Sequence, residues 1–166
     1  MYTAIFFLKF IMLTISNLHF PLADGKALEI CHLHLNKGDS LLVVGDNASG
    51  KSVLAQIMSD RIDGFQAGKF ERPTNIEVLS FEVEADTLAE DRKNDNSEQV
   101  EGGIDWGRNA KEIIGEGSNF NEIIALLKIK ALLDKPFKVL STGEIRKVLM
   151  ARALMASPDL IILDEP

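Results

Sequence analysis

Hydrophobic positions along this chain follow two alternating rhythms. Residues 13–20 and 27–35 carry apolar side chains at a period close to two, which predicts short strands joined by a turn at Asp24-Gly25. Asn36-Lys37-Gly38-Asp39 predicts a second turn. The unbroken run Leu41-Leu42-Val43-Val44 then predicts a strand over 40–44 that is buried on both faces of a parallel sheet. Beyond it Val53, Leu54, Ile57, Met58 and Ile62 recur at helical spacing. Residues 75–81 predict another strand. Residues 121–133 predict a helix with Asn119 or Asn121 as its cap and Lys135-Pro136 as its stop. Ser141-Thr142-Gly143-Glu144 has the S-x-x-E capping-box spacing, so a helix starts there and runs to about residue 156, where Ser157-Pro158 halts it. Residues 160–163 predict a second doubly buried strand. There is no internal repeat.

Two stretches depart from these rhythms. Residues 1–15 are strongly apolar, but a membrane-spanning helix needs about 20 such residues and Lys9 interrupts the run. No basic start precedes it, as a signal peptide would require. The expectation is a first strand behind a short apolar leader, residues 1–11. Residues 82–105 hold nine acids, opposed only by Arg92 and Lys93, and Gly102-Gly103 closes the stretch. They read as a solvated insertion.

Composition adds modest bounds. A length of 166 residues suits one domain, and 46% hydrophobic with 26% charged residues is ordinary for a globular protein. A net charge of −7 argues against direct nucleic-acid binding. The single cysteine, Cys31, rules out an internal disulfide and suits a reducing compartment. Cys31-His32-Leu33-His34 has the look of half a metal site, but its strand-like setting and the lack of a second ligand pair favour an ordinary strand.

The chemistry lies in two segments. Gly45-Asp46-Asn47-Ala48-Ser49-Gly50-Lys51-Ser52 fits G-x-x-x-x-G-K-[ST], placed between a buried strand and an amphipathic helix. Backbone amides converge on an anion only where the chain turns tightly, and Gly45 and Gly50 permit that turn. Lys51 supplies a point charge to the β- and γ-phosphates, Ser52 offers a hydroxyl to Mg²⁺, and the helix directs its positive end at the same anion. Leu160-Ile161-Ile162-Leu163-Asp164-Glu165-Pro166 is the other segment. A carboxylate at the end of an apolar strand is costly without a partner, and Mg²⁺ supplies one to Asp164. Glu165 is then placed to orient water or accept its proton. Ser141 and Gly143, at a predicted helix start, form either a simple cap or an anion contact.

Taken together, these residues resemble an ABC-type ATPase domain over nearly the whole chain, with Leu140-Ser141-Thr142-Gly143-Glu144 as its signature. A closer resemblance is to the first of two ATPase domains in molybdenum-transport ATP-binding proteins, also called photorepair proteins. It is carried by Leu79-Ser80-Phe81-Glu82, Ala131-Leu132-Leu133-Asp134 and the stretch from Phe137 through Arg146-Lys147. Thr142 and Glu144 replace the more usual Gly and Gln.

The resemblance implies an α/β P-loop fold with a mixed sheet, an antiparallel β-subdomain and a helical subdomain, cut off after Pro166. Within that single partial domain, residues 12–80 form the β-subdomain and loop core. Residues 81–118 form the acidic insertion, 119–157 the signature region and 158–166 the magnesium strand. ATP and Mg²⁺ are the implied cofactors, with ATP hydrolysis as the activity. The alternative is a nucleotide-binding module that does not hydrolyse ATP. A kinase or GTPase is disfavoured by the signature.

Head-to-tail pairing with a second ABC ATPase domain, in the same longer chain or another subunit, is also implied, as is a membrane transporter subunit as partner. Ser141 and Gly143 would then contact the nucleotide held by the other domain. The implied place is the cytoplasm, at the inner face of the membrane. Phe20, 25 residues before Gly45, falls where the family stacks an aromatic on adenine. Glu82 stands nearest to the family's glutamine and is a candidate for Mg²⁺ or water. Ala48 replaces a common third glycine. None of His19, His32 and His34 sits where the family's switch histidine belongs. In that architecture a further strand covers the one at 160–163, so the chain as given is expected to leave an open sheet edge there, with poor solubility and slow turnover.

Overall fold

A computed structural model describes residues 2–7, 13–93 and 107–164. The described chain divides into two compact units: Met1–Val78 with Pro158–Pro166, and Leu79–Ser157.

The first unit contains two sheets. One has the strand order β3-β2-β5 and is antiparallel, with β2 (Leu13–Pro21) between β3 (Ala27–Leu35) and β5 (Lys69–Glu71). Its inner face carries Leu13, Ile15, Leu18 and Leu35, all buried, with Phe70 packed against them. On β2 the buried face changes phase: Ile15 and Leu18 both point inward although three residues apart, and Asn17 between them has φ +50°. This flip is why a strict period of two fails across the hairpin.

The outer face is polar. Thr14 lies between His34 and Glu71, and Ser16 between His32 and Lys69. The Thr14 hydroxyl is 3.2 Å from His34 Nδ1, and the Ser16 hydroxyl is 3.1 Å from His32 Nδ1. The Cys31–His34 segment is thus a strand whose histidines serve cross-strand polar pairs. Among the described residues no three His, Cys, Asp or Glu side chains gather to hold a metal.

The second sheet has the order β4-β1-β7-β6, formed by β4 (Ser40–Val44), β1 (Tyr2–Phe7), β7 (Leu160–Leu163) and β6 (Ile76–Leu79). β1 runs antiparallel to both β4 and β7, so those two run parallel to each other. Three expectations are corrected here. Residues 2–7 of the expected leader form a strand. β7 gains a neighbour on each side, so the expected open edge beside it is closed. And β4 is not buried on both faces: its exposure alternates along the strand, and it ends the sheet. Leu41 and Val43 pack on the core, while Leu42 and Val44 are 55% and 63% exposed. β7 does meet its expectation, with all four residues buried. The helix after the loop, α1 (Lys51–Met58), is shorter than the spacing predicts, and Ile62 packs on the same core from beyond its end.

The second unit is helical. It comprises α2 (Phe81–Lys93), α3 (Ala110–Ile114), α4 (Phe120–Leu127) and α5 (Thr142–Met155), packed around Phe137, Ile129, Val148 and Leu149. The acid-rich stretch is corrected: its first half is a helix with an inward face, not a solvated insertion. Glu84, Thr87 and Asp91 are all buried. Each has a partner: Arg146 Nε donates to Glu84 at 3.4 Å, the Thr87 hydroxyl donates to the Val83 carbonyl, and Arg108 Nε donates to Asp91 at 2.9 Å. Residues 94–106 of that stretch lie outside the described residues. Phe81 starts α2 instead of ending a strand. The helix predicted over 121–133 stops early, where Lys128 takes φ +55°, and a 3₁₀ turn follows. Asn119 occupies its N-cap without a side-chain bond.

No described helix is long and apolar enough to cross a membrane.

Candidate nucleotide site

The loop between β4 and α1 is built from residues that accept unusual backbone angles. Gly50 has φ +92° and caps α1, and a side-chain carbon there would come within 3.3 Å of Leu22 Cδ1. Gly50 therefore provides both the turn and room for the β2–β3 hairpin to lean on the loop. Gly45 is equally confined: a Cβ would sit 2.7 Å from Ser49 Oγ. Ala48 also adopts the left-handed region, with φ +61°, at the position where the resembled loops carry glycine.

Lys51 points back into its own loop. Its Nζ donates to the Gly45 carbonyl at 2.8 Å, the Asp46 carbonyl at 2.6 Å and Ser49 Oγ at 3.4 Å. This bonding closes the loop into a ring around the ammonium. The first turn of α1 has no acidic residue and no side-chain cap. Its leading N–H groups are therefore unspent and aimed at the site an anion would take. Asn47–Val53 line one wall of a cavity of about 450 Å³, and Leu22, Ala23 and Lys26 line the other. Those three escaped the sequence reading, since a short turn some 20 residues upstream carries no motif.

Asp164 follows β7 and is half-buried. Ala4 pairs with Leu42 on one side and Leu163 on the other. Asp164 thus stands level with the last residues of β4, two strand spacings away, roughly 10 Å. Gly45 and Asp164 share the carboxyl edge of two parallel strands, the edge at which open α/β sheets bind ligands. The hydroxyl of exposed Ser52 and the carboxylate of Asp164 are oxygen donors of the kind a hard divalent cation takes. Glu165 lies outside the described residues. Phe20 does not line the cavity; it is half-buried and packs against the core.

The remaining expected residues belong to the second unit. Ser141 caps α5 in a complete capping box: Glu144 N–H donates to Ser141 Oγ, and Ser141 N–H donates to the Glu144 carboxylate at 2.9 Å. The Ser141 hydroxyl also donates to that carboxylate at 2.9 Å, and Lys135 Nζ donates to its other oxygen at 3.2 Å. These bonds, the Ser141 backbone first, hold the Glu144 carboxyl at about 2. Ser141, Thr142 and Gly143 are exposed, and a side-chain carbon at Gly143 would meet nothing within 4 Å. The signature therefore presents a capped helix start that is open to solvent at Gly143. Glu82 is exposed in the first turn of α2.

Asn36-Lys37-Gly38-Asp39 spells the N-K-x-D pattern of guanine-reading loops. Here it is only the β3–β4 turn, with its aspartate accepting the Asn36 N–H at 2.8 Å.

Residues 28–166 match the family described as ABC transporter. The chain is 39% identical over 152 residues to the ABC transporter ATP-binding protein ModF of Escherichia coli, covering 89% of this chain and 31% of that protein. It is 31% identical over 143 residues to the zinc import ATP-binding protein ZnuC of Alkalilimnicola ehrlichii, covering 82% of this chain and 49% of ZnuC. It thus spans about a third to a half of these two relatives. Among solved structures it superposes on a metal-chelate type ABC transporter in an inward-facing conformation, with TM-score 0.59 and 24% identity, covering 94% of this chain and 61% of that one. It likewise superposes on cbiO1 of Clostridium perfringens, with TM-score 0.55 and 18% identity, covering 95% and 66%. These likenesses share the P-loop α/β fold seen here, and with the family match over most of its length the chain belongs to the ABC transporter ATP-binding family.

Proposed function

We propose that this chain binds ATP with Mg²⁺ and hydrolyses it as one ATPase domain of a paired ABC assembly. The observation that carries the reading is the common sheet edge on which the loop at 45–52 and Asp164 both stand. On this reading the loop amides and Lys51 hold the β- and γ-phosphates. Ser52 and Asp164 are the residues that would hold Mg²⁺, which when bound neutralises phosphate charge. Glu165 accepts a proton from the attacking water.

Ser141 and Gly143 serve the nucleotide of a second ATPase domain. The open space at Gly143 supports this, since a side-chain carbon there would meet nothing within 4 Å and the backbone of that residue is open to an incoming phosphate. The kinship with ModF supports placing the chain among molybdate-transport-related or photorepair-like ATPases that work beside a membrane subunit at the cytoplasmic face.

The test uses Lys51→Ala and Glu165→Gln, with ATP binding and turnover measured in the presence of a partner domain. Lys51→Ala is expected to weaken MgATP by at least about a hundredfold, the loss of a charge-assisted phosphate contact. Glu165→Gln keeps binding and loses turnover. ATP binding that is indifferent to Lys51 sinks the site, and turnover that survives Glu165→Gln removes that residue from its role.

A further inference from the structure

The cavity beside the loop has a second wall, and that wall carries a cation. We propose that Lys26 is a second positive contact for the nucleotide's polyphosphate, opposite Lys51. This deepens the reading of the loop as an ATP site and rests on it.

Three observations converge. First, among the described side chains lining the cavity there are two ammonium groups, Lys26 and Lys51, and no carboxylate. That is a local reversal in a chain with 25 acidic and 18 basic residues. Second, the hairpin holds Lys26 in place. Leu22 N–H donates to the Lys26 carbonyl at 2.8 Å, Lys26 N–H donates to the Ala23 carbonyl at 3.3 Å, and Gly25 turns between them at φ +72°. Third, the hairpin is seated on the loop itself, with Leu22 Cδ1 against Gly50. The backbone of Lys26 is therefore fixed relative to the phosphate loop, while its exposed side chain is free to swing over the cavity.

The physics favours an anion rather than the base. A compact cavity of about 450 Å³ is comparable in width to one Debye length, ~8 Å, at physiological salt. An ammonium on its wall acts on a triphosphate without direct contact and adds to the field of Lys51. Lys51 already spends hydrogen bonds on the Gly45 and Asp46 carbonyls. A second cation offsets the charge those bonds divert.

The experiment measures equilibrium binding of MgATP, inorganic tripolyphosphate and adenosine to the full chain and to Lys26→Gln, Lys26→Arg and Lys51→Ala. Salt is varied from about 50 to about 300 mM. Lys26→Gln is expected to weaken MgATP and tripolyphosphate about three- to tenfold and to flatten their salt dependence, leaving adenosine unchanged. Lys26→Arg restores both. Because the side chain is exposed, the melting temperature of Lys26→Gln should match that of the parent, which separates binding from folding. If Lys51→Ala weakens ATP but Lys26→Gln changes neither affinity nor salt slope, the Lys26 assignment is overturned and the loop reading stands. An equal loss for adenosine also overturns it, since Lys26 would then act at the nucleoside end. If Lys51→Ala has no effect, the ATP site itself fails.

Discussion

Ala48 shows how much a single residue can hold in tension. An L-residue in the left-handed region costs about 1–2 kcal/mol, and glycine at the same place pays only its extra unfolded-state entropy, about 0.5–1 kcal/mol. Ala48→Gly should therefore stabilise the fold by about 0.5–1 kcal/mol, seen as a melting temperature raised by about 1–3 °C. An unchanged or lower midpoint would mean that φ +61° stores no strain. The need for a turn at 48 was legible in the sequence, because the loop pattern names its neighbours. The strain was not, since only the backbone angle reveals it. The same contrast holds for Phe20. Its spacing from Gly45 nominated it for adenine, whereas it is half-buried and packs against the core of the first unit.

At the scale of elements, the parts written in local chemistry were readable. The capping box at Ser141 and Glu144 closes in both directions, and the strands at 27–35, 40–44 and 160–163 begin and end where the pattern placed them. The helix α2 was hidden for a physical reason. Its inward positions include Glu84, Thr87 and Asp91, and what makes them acceptable inside is Arg146, the Val83 carbonyl and Arg108. Two of those partners lie far along the chain, so the periodicity of apolar residues has nothing to register.

The cap on α5 also gives a pH prediction. The Glu144 carboxyl is lowered from 4.5 to about 2 by the Ser141 and Lys135 bonds. A depressed carboxyl contributes stability that is complete above its unfolded value and fades as the pH falls. Between pH 4.5 and about 2 the parent should lose stability that Glu144→Gln has already lost. The variant's unfolding midpoint should accordingly fall less steeply across that window, as read by circular dichroism. Parallel acid profiles would remove Glu144 from the account.

For the whole molecule, the informative feature is the place of β1. It is the hydrogen-bonded link between the strand that launches the phosphate loop and the strand that ends at Asp164. Its pairing could not be foreseen, because both of its neighbours lie at least 33 positions away and an apolar run does not say which strands it will join. Ile5 pairs with Leu41 on one side and Ile162 on the other. Ile5→Pro removes a ladder donor from a strand with neighbours on both sides, and should cost about 3 kcal/mol or more. It should also weaken the Mg²⁺ dependence of ATP binding, because the spacing between loop and aspartate is no longer held. Full stability with unaltered cation response would show that β1 is dispensable to the site.

The lysine that folds back on its own carbonyls has a kinetic meaning. A cradle already cinched from within does not have to be moulded by its guest, so arrival should proceed at the pace of encounter. Differences in grip among variants that touch the guest directly should then appear as differences in how long it stays.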